Sequence, residues 1–132
     1  MFSMPSGKVF TSATIIAFVL LGIAATTPPK GPHKNLQILP KDISDQKLDS
    51  IMESYNKALG IGCSFCHAPA KNNPDSLDYS IDEKPMKEEA RKMMRMTIDI
   101  NKNNFYFDKA VRPEYLNVVT CRTCHRGEAY PD

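Results

Sequence analysis

Two short runs constrain this chain more than anything else in it: Cys63-Ser64-Phe65-Cys66-His67 and Cys121-Arg122-Thr123-Cys124-His125. Together they use all four cysteines and two of the three histidines. The pattern C-x-x-C-H is the attachment motif of c-type haem. Two thiols separated by two residues reach the two vinyl groups of one porphyrin edge and form thioethers. The residue that follows points an imidazole at the iron from the same side. Other uses of the thiols fit less well. A four-cysteine zinc module would hold its pairs roughly 15–20 residues apart, and here they lie much farther apart and both histidines would be left without a role. A thioredoxin-like site needs one C-x-x-C beside a βαβ pattern, and no such pattern is visible. Disulfides within each pair would close small, strained loops. The expectation is two haem c groups, bonded through Cys63 and Cys66 and through Cys121 and Cys124, with His67 and His125 on the irons.

The chain has 132 residues, which fits one domain. A chain this short buries only a modest apolar core of its own, so the haems are expected to fill the middle and the apo-protein to be largely unfolded. The formal net charge of +2 gives no sign of a nucleic-acid surface. Lys8 is the only charge ahead of Lys30, and the apolar run from Ala13 to Ala25 follows it. That is the length of a signal-peptide core rather than of a span of roughly 20 residues. Residues 1–27 are read as a cleaved export signal, with an uncleaved N-terminal anchor as the rival. The predicted location is the periplasm, free or tethered to the outer face of the inner membrane.

Residues 28–41 read as an extended, Pro-rich leader from which Leu36, Ile38 and Leu39 pack on the body. Residues 42–132 form the domain proper. A first helix is predicted from about Ser44 to Leu59, with Leu48, Ile51, Met52, Tyr55 and Leu59 on one apolar face. Asp42 or Ser44 would cap its start, and Gly60 suits the left-handed position after its end. Residues 68–84 are polar and read as a surface loop. A second helix begins near Pro85, a favoured first-turn residue, and fades around Asn101 to Asn104. Its inner face carries Met86, Ala90, Met93, Thr97 and Ile100, flanked by Met94 and Met96. Lys87, Glu88, Glu89, Arg91 and Lys92 are placed mainly on its solvated side, with Glu88 and Lys92 as an i, i+4 pair. No useful strand pattern appears. The predicted fold is all-α, with little regular secondary structure: a haem-cored, multihaem arrangement of two helix–turn–CxxCH units.

Each helix offers methionines for the open iron positions, and a Met ligand raises the reduction potential relative to a second His. Met52 is the single Met of the first helix. The second offers Met86, Met93, Met94 and Met96, which spacing alone also allows as core filler; Met93 lies centrally on the stripe and leads. His33, in the Pro-rich leader, is expected to be solvent-exposed rather than an iron ligand. Arg95, Arg112 and Arg126 are candidates to pair with haem propionates, or simply surface charges.

At Ala90-Arg91-Lys92-Met93-Met94-Arg95-Met96-Thr97-Ile98-Asp99-Ile100-Asn101 and Val119-Thr120-Cys121-Arg122-Thr123-Cys124-His125-Arg126-Gly127 the sequence resembles the cytochrome c subunit of photosynthetic reaction centres. More loosely, the likeness extends from Leu48 to His67. It implies a repeating unit of Met-bearing helix, turn and attachment motif, with Met52 and His67 on one iron and Met93 and His125 on the other. The four-haem subunit has two such two-haem units, and this chain has one. The family also carries a cross-ligating His ahead of its second attachment motif, whereas residues 97–120 contain none here. The expected function is electron transfer without bond chemistry, not enzymatic catalysis. The expected partners are a redox donor and acceptor, membrane-associated complexes among them. The alternatives are a di-haem peroxidase-like enzyme with one open iron, the zinc module, and a haem-bearing structural subunit of a membrane complex.

Overall fold

The computed structural model describes residues 33–131. The apolar segment Ala13–Ala25, the proposed signal boundary and the first part of the leader lie outside the described residues. The first long helix, α1, spans Asp45–Leu59. Ser44 caps it through its hydroxyl, which accepts from the Lys47 N–H at 3.3 Å and so satisfies one of the orphan donors of the first turn. Gly60 ends it in the left-handed conformation, at φ 65°. A 3₁₀ turn at Cys63–Phe65 follows. The second long helix, α2, runs from Pro85 to Asn104 with Pro85 in its first turn. A further 3₁₀ turn at Pro113–Tyr115 leads to the short helix α3, Cys121–His125.

Between the first attachment motif and α2 the structure departs from the predicted all-α fold. The segment read as loop contains an antiparallel pair, β1 (Ala68–Ala70) and β2 (Asn73–Asp78). Ala68 pairs with Asp78 and Pro69 with Leu77, and a register shift after Pro69 puts Ala70 opposite Asn73. The fold is therefore mixed: helices with one small sheet. The hairpin left no period-two signature because its strands are short, a proline sits in each, and most of β2 is exposed on both faces.

The described residues bury few apolar side chains. Leu39, Ile43, Ala58 and Ala68 make up the buried hydrophobic set, and two of these are alanines. The two long helices make little direct contact; each meets α3 instead. Between them lies a cavity of about 410 Å³, lined by Tyr55, Ala58, Met94, Ile98, Asn101 and Cys121, among others. Met93, Met96 and Ile100 stay exposed along α2. Ordering a chain costs roughly 1–2 kcal/mol per residue, and so small an apolar core is far from offsetting that cost alone. Among the described residues, no helix is long and apolar enough to cross a membrane.

The C-terminal attachment segment is fastened to α1 by backbone. The Gly127 N–H donates to the Ala58 carbonyl at 2.8 Å. This approach needs glycine at position 60, because a Cβ there would collide with the Gly127 carbonyl oxygen. Left-handed backbone costs a residue with a Cβ roughly 1–2 kcal/mol before any collision. Gly60→Ala is therefore expected to destabilise the matured protein by at least about 2 kcal/mol. Gly62→Ala, at a position with open space around it and φ −104°, is expected to be near neutral. Chemical denaturation of both variants measures the difference.

Candidate functional site

Both attachment motifs occupy single helical turns. In the first, the Cys66 and His67 N–H groups donate to the Cys63 carbonyl at 3.3 and 3.0 Å. In the second, the motif is α3 itself, started by the Thr120 N–H donating to the Thr123 hydroxyl at 3.0 Å. Residues at i, i+3 and i+4 share one face of a helical turn. In the first motif the Cys63 sulfur lies 3.5 Å from the Asn56 amide of α1 and the Cys66 sulfur 3.9 Å from the Met86 carbonyl of α2. All four cysteines are free thiols. Burial pushes the Cys66 and Cys121 thiols up from their ordinary range, so both stay protonated at neutral pH. Among the described residues, no three His, Cys, Asp or Glu side chains converge as a metal-holding group. The two cysteine pairs are thus not brought together as a zinc site would need.

The two histidines differ in their second nitrogen. His125 Nδ1 lies 3.0 Å from the Glu128 carbonyl. Donation of an Nδ1–H to that oxygen fixes the tautomer whose Nε2 is a free acceptor, the form a metal ligand takes. His67 Nδ1 is buried without a hydrogen-bond partner. Its ring meets the Tyr79 ring edge-on at 4.9 Å. Burial, and then the nearby Lys87 and Arg91 charges, hold His67 below the usual histidine range, which keeps the imidazole neutral at neutral pH.

These cations correct the sequence reading. Lys87 and Arg91 do not lie on the solvated side of α2; they are 8 and 6% exposed. Both pair with Asp82, at 3.0 and 2.9 Å, and Lys87 also donates to the Tyr79 and Ile81 carbonyls. Asn35 donates to the same carboxylate at 2.8 Å. Helical periodicity placed them outward because the covering comes from the hairpin exit and the leader, elements that the periodicity of α2 does not reveal. The Glu88–Lys92 pair is also replaced. Glu88 takes Arg91 and Arg95, and Lys92 takes Glu89. Nor is His33 solvated: its Nε2 lies 3.0 Å from the Ile43 carbonyl and 3.1 Å from Asp45, with the side chain only 20% exposed. It ties the leader to the first turn of α1. Of the arginines considered for propionates, Arg112 already holds Asp42 through two hydrogen bonds at 2.8 and 2.9 Å.

The candidate axial methionines are placed unequally. Met52 is half-buried on α1. Met93 is 41% exposed, whereas Met94 is half-buried and lines the cavity that Cys121 also lines. One residue that the sequence reading passed over is Asn101, the largest fully buried side chain among the described residues, at 0% exposure. It bonds to the backbone of Leu116 and Val119 just ahead of Cys121. Its only signal in sequence was a polar residue where the helix was expected to fade.

A family model described as photosynthetic reaction centre cytochrome C subunit matches residues 22–132. The chain belongs to that family. The cytochrome c subunit of the photosynthetic reaction center of Roseobacter denitrificans is 33% identical over 104 residues, covering 77% of this chain and 26% of the relative. Cytochrome c-554 of Chloroflexus aurantiacus is 33% identical over 94 residues, covering 70% of this chain and 20% of the relative. The chain thus spans about a quarter and a fifth of these relatives. No solved structure matches. Membership places the chain in a family named for the cytochrome c subunit of the photosynthetic reaction centre.

The buried cations lead to an acid-stability prediction for this family member. The Arg91 and Lys87 hydrogen bonds hold the Asp82 carboxyl far below the usual carboxylate range. Its stabilisation is therefore complete above the unfolded value of about 3.9 and is lost as pH falls toward the depressed folded value. Asp82→Asn is expected to lower stability at neutral pH and to flatten its decline below about pH 4. Unfolding midpoints of both proteins from pH 7 to pH 2 test this.

Proposed function

We propose that this chain is a di-haem electron carrier equivalent to one two-haem unit of the reaction-centre subunit. Cys63, Cys66 and His67 would hold one haem and Cys121, Cys124 and His125 the other. Met52 and Met93 would complete the irons. The reading is carried by one observation: two helical turns each offer two free thiols and an imidazole at i, i+3 and i+4. Two further features support it. The exposed apolar stripe of α2 and the gap between the helices are what a fold looks like when flat apolar groups complete its core. His125 keeps Nε2 free by engaging Nδ1 elsewhere.

When bound, haem would supply a reversible one-electron couple. His67 with Met52, and His125 with Met93, would close the irons to small substrates and would tune the potential through the thioether and the surrounding dielectric. The low affinity of the His67 ring for a proton leaves it available as a neutral ligand without acid chemistry of its own. Export through residues 1–27, a periplasmic location and redox proteins as donor and acceptor belong to the same proposal.

Expression with a cytochrome c maturation system should add two haems by intact mass and give a weak sulfur-to-iron band at the red end of the oxidised spectrum. Met52→Ala and Met93→Ala should each weaken that band. Each should also lower one midpoint potential by on the order of 100 mV, a fraction of the roughly 0.8 V that axial ligation spans. Met94→Ala should leave both unchanged; the reverse result moves the ligand to the side chain that lines the cavity. A colourless matured protein, or immediate CO binding by the unmodified reduced protein, overturns the closed-carrier reading.

A further inference from the structure

Asn101 lies on α2 two turns beyond Met93, about 12 Å along the helix. Its Nδ2 donates to the Leu116 carbonyl at 3.0 Å and to the Val119 carbonyl at 2.7 Å. Its Oδ1 accepts from the Val119 N–H at 2.8 Å. Both side-chain donors and one acceptor site are used, and only a carboxamide offers that set in one small group. A leucine would leave three half-buried backbone groups without this partner, and an ionised aspartate would lose both donors. Val119 stands two residues before Cys121, and Thr120 between them starts α3 by donating to Thr123 at 3.0 Å. The restraint therefore passes from the Met-bearing helix to the attachment turn through a few rigid backbone units.

We infer that Asn101 is a positioning residue for the second haem: it fixes the spacing between α2, which carries the axial methionine, and the turn that carries Cys121, Cys124 and His125. This rests on the two-haem reading. A thioether bonds iron only over a narrow range of distance, whereas the covalent links and His125 come from one helical turn and tolerate its displacement. Asn101 therefore controls the methionine bond rather than haem attachment. Asn104 serves as a neighbouring control, because its exposed amide merely donates to the Ile100 carbonyl of the same helix at 2.8 Å.

The test uses the matured full-length protein. Asn101→Ala should retain two haems by intact mass and lose about half of the sulfur-to-iron band. The potential of one haem should fall while that of the other stays fixed. Asn104→Ala should change none of these. Asn101→Asp, which keeps the Val119 contact through its acceptor alone, should behave like Asn101→Ala and stands in for it if the alanine variant does not mature. The inference is overturned if the band and both potentials survive in the variant, or if both haems shift equally, as general loosening of the fold would produce. Fewer than two haems in the unmodified protein defeats the underlying reading and this inference with it. A two-haem unmodified protein beside an unaffected variant defeats the inference alone.

Discussion

The architecture depends on a shortage: there is too little apolar side chain to join the two long helices directly. Leu39 and Ile43 come from the stretch before α1, and the other buried apolar residues are alanines. Neither helix buries its stripe against the other. What joins them is the C-terminal segment, bonded to the end of α1 through Gly127 and to the end of α2 through Asn101. A hydrophobic core tolerates many shapes so long as volume is kept. A frame closed by a few directional hydrogen bonds around a gap fixes one shape.

The polar interior follows from the same shortage. Lys87, Arg91 and Asn101 are buried where a larger protein would place leucines. Buried charges and amides contribute little net stability, but leaving any one partner unmatched is costly. Asp82 gathers Lys87, Arg91 and Asn35 at one point, joining α2, the hairpin exit and the leader. The His67 ring stands near those cations and against Tyr79, whose carbonyl Lys87 holds. The environment of the first imidazole is thus set by the same contacts that hold the hairpin to the helix.

Local signals were legible in the sequence to the degree that they are local. Ser44, Gly60 and Pro85 mark helix ends by chemistry that needs no tertiary context: α1 begins beside Ser44 and ends beside Gly60, and α2 begins at Pro85. The two C-x-x-C-H runs are likewise local, each closing as one helical turn of backbone. The hairpin was missed because Ala68–Ala70 pairs across a register shift and shows no alternation. Lys87 and Arg91 were misplaced because periodicity identifies a face but not what covers it. Asn101 was passed over because a polar residue near a helix end ordinarily faces water, and only the return of residues 116–119 buries it.

The two attachment segments also touch each other. Phe65, inside the first motif, meets the Tyr130 ring at 6.5 Å, edge-on. Gly60, just ahead of the first motif, abuts Gly127, just behind the second. Tyr130 further reaches Met86 with its hydroxyl, 3.8 Å from the sulfur. The motifs, though far apart in sequence, therefore form one neighbourhood built from this chain's own residues. Relatives roughly three to four times as long are not needed to bring them together. A pair of redox groups attached at these turns would be held at a separation set by backbone contacts. Exchange between them would then be a property of the unit, and whatever lies outside it would only have to reach one of the two.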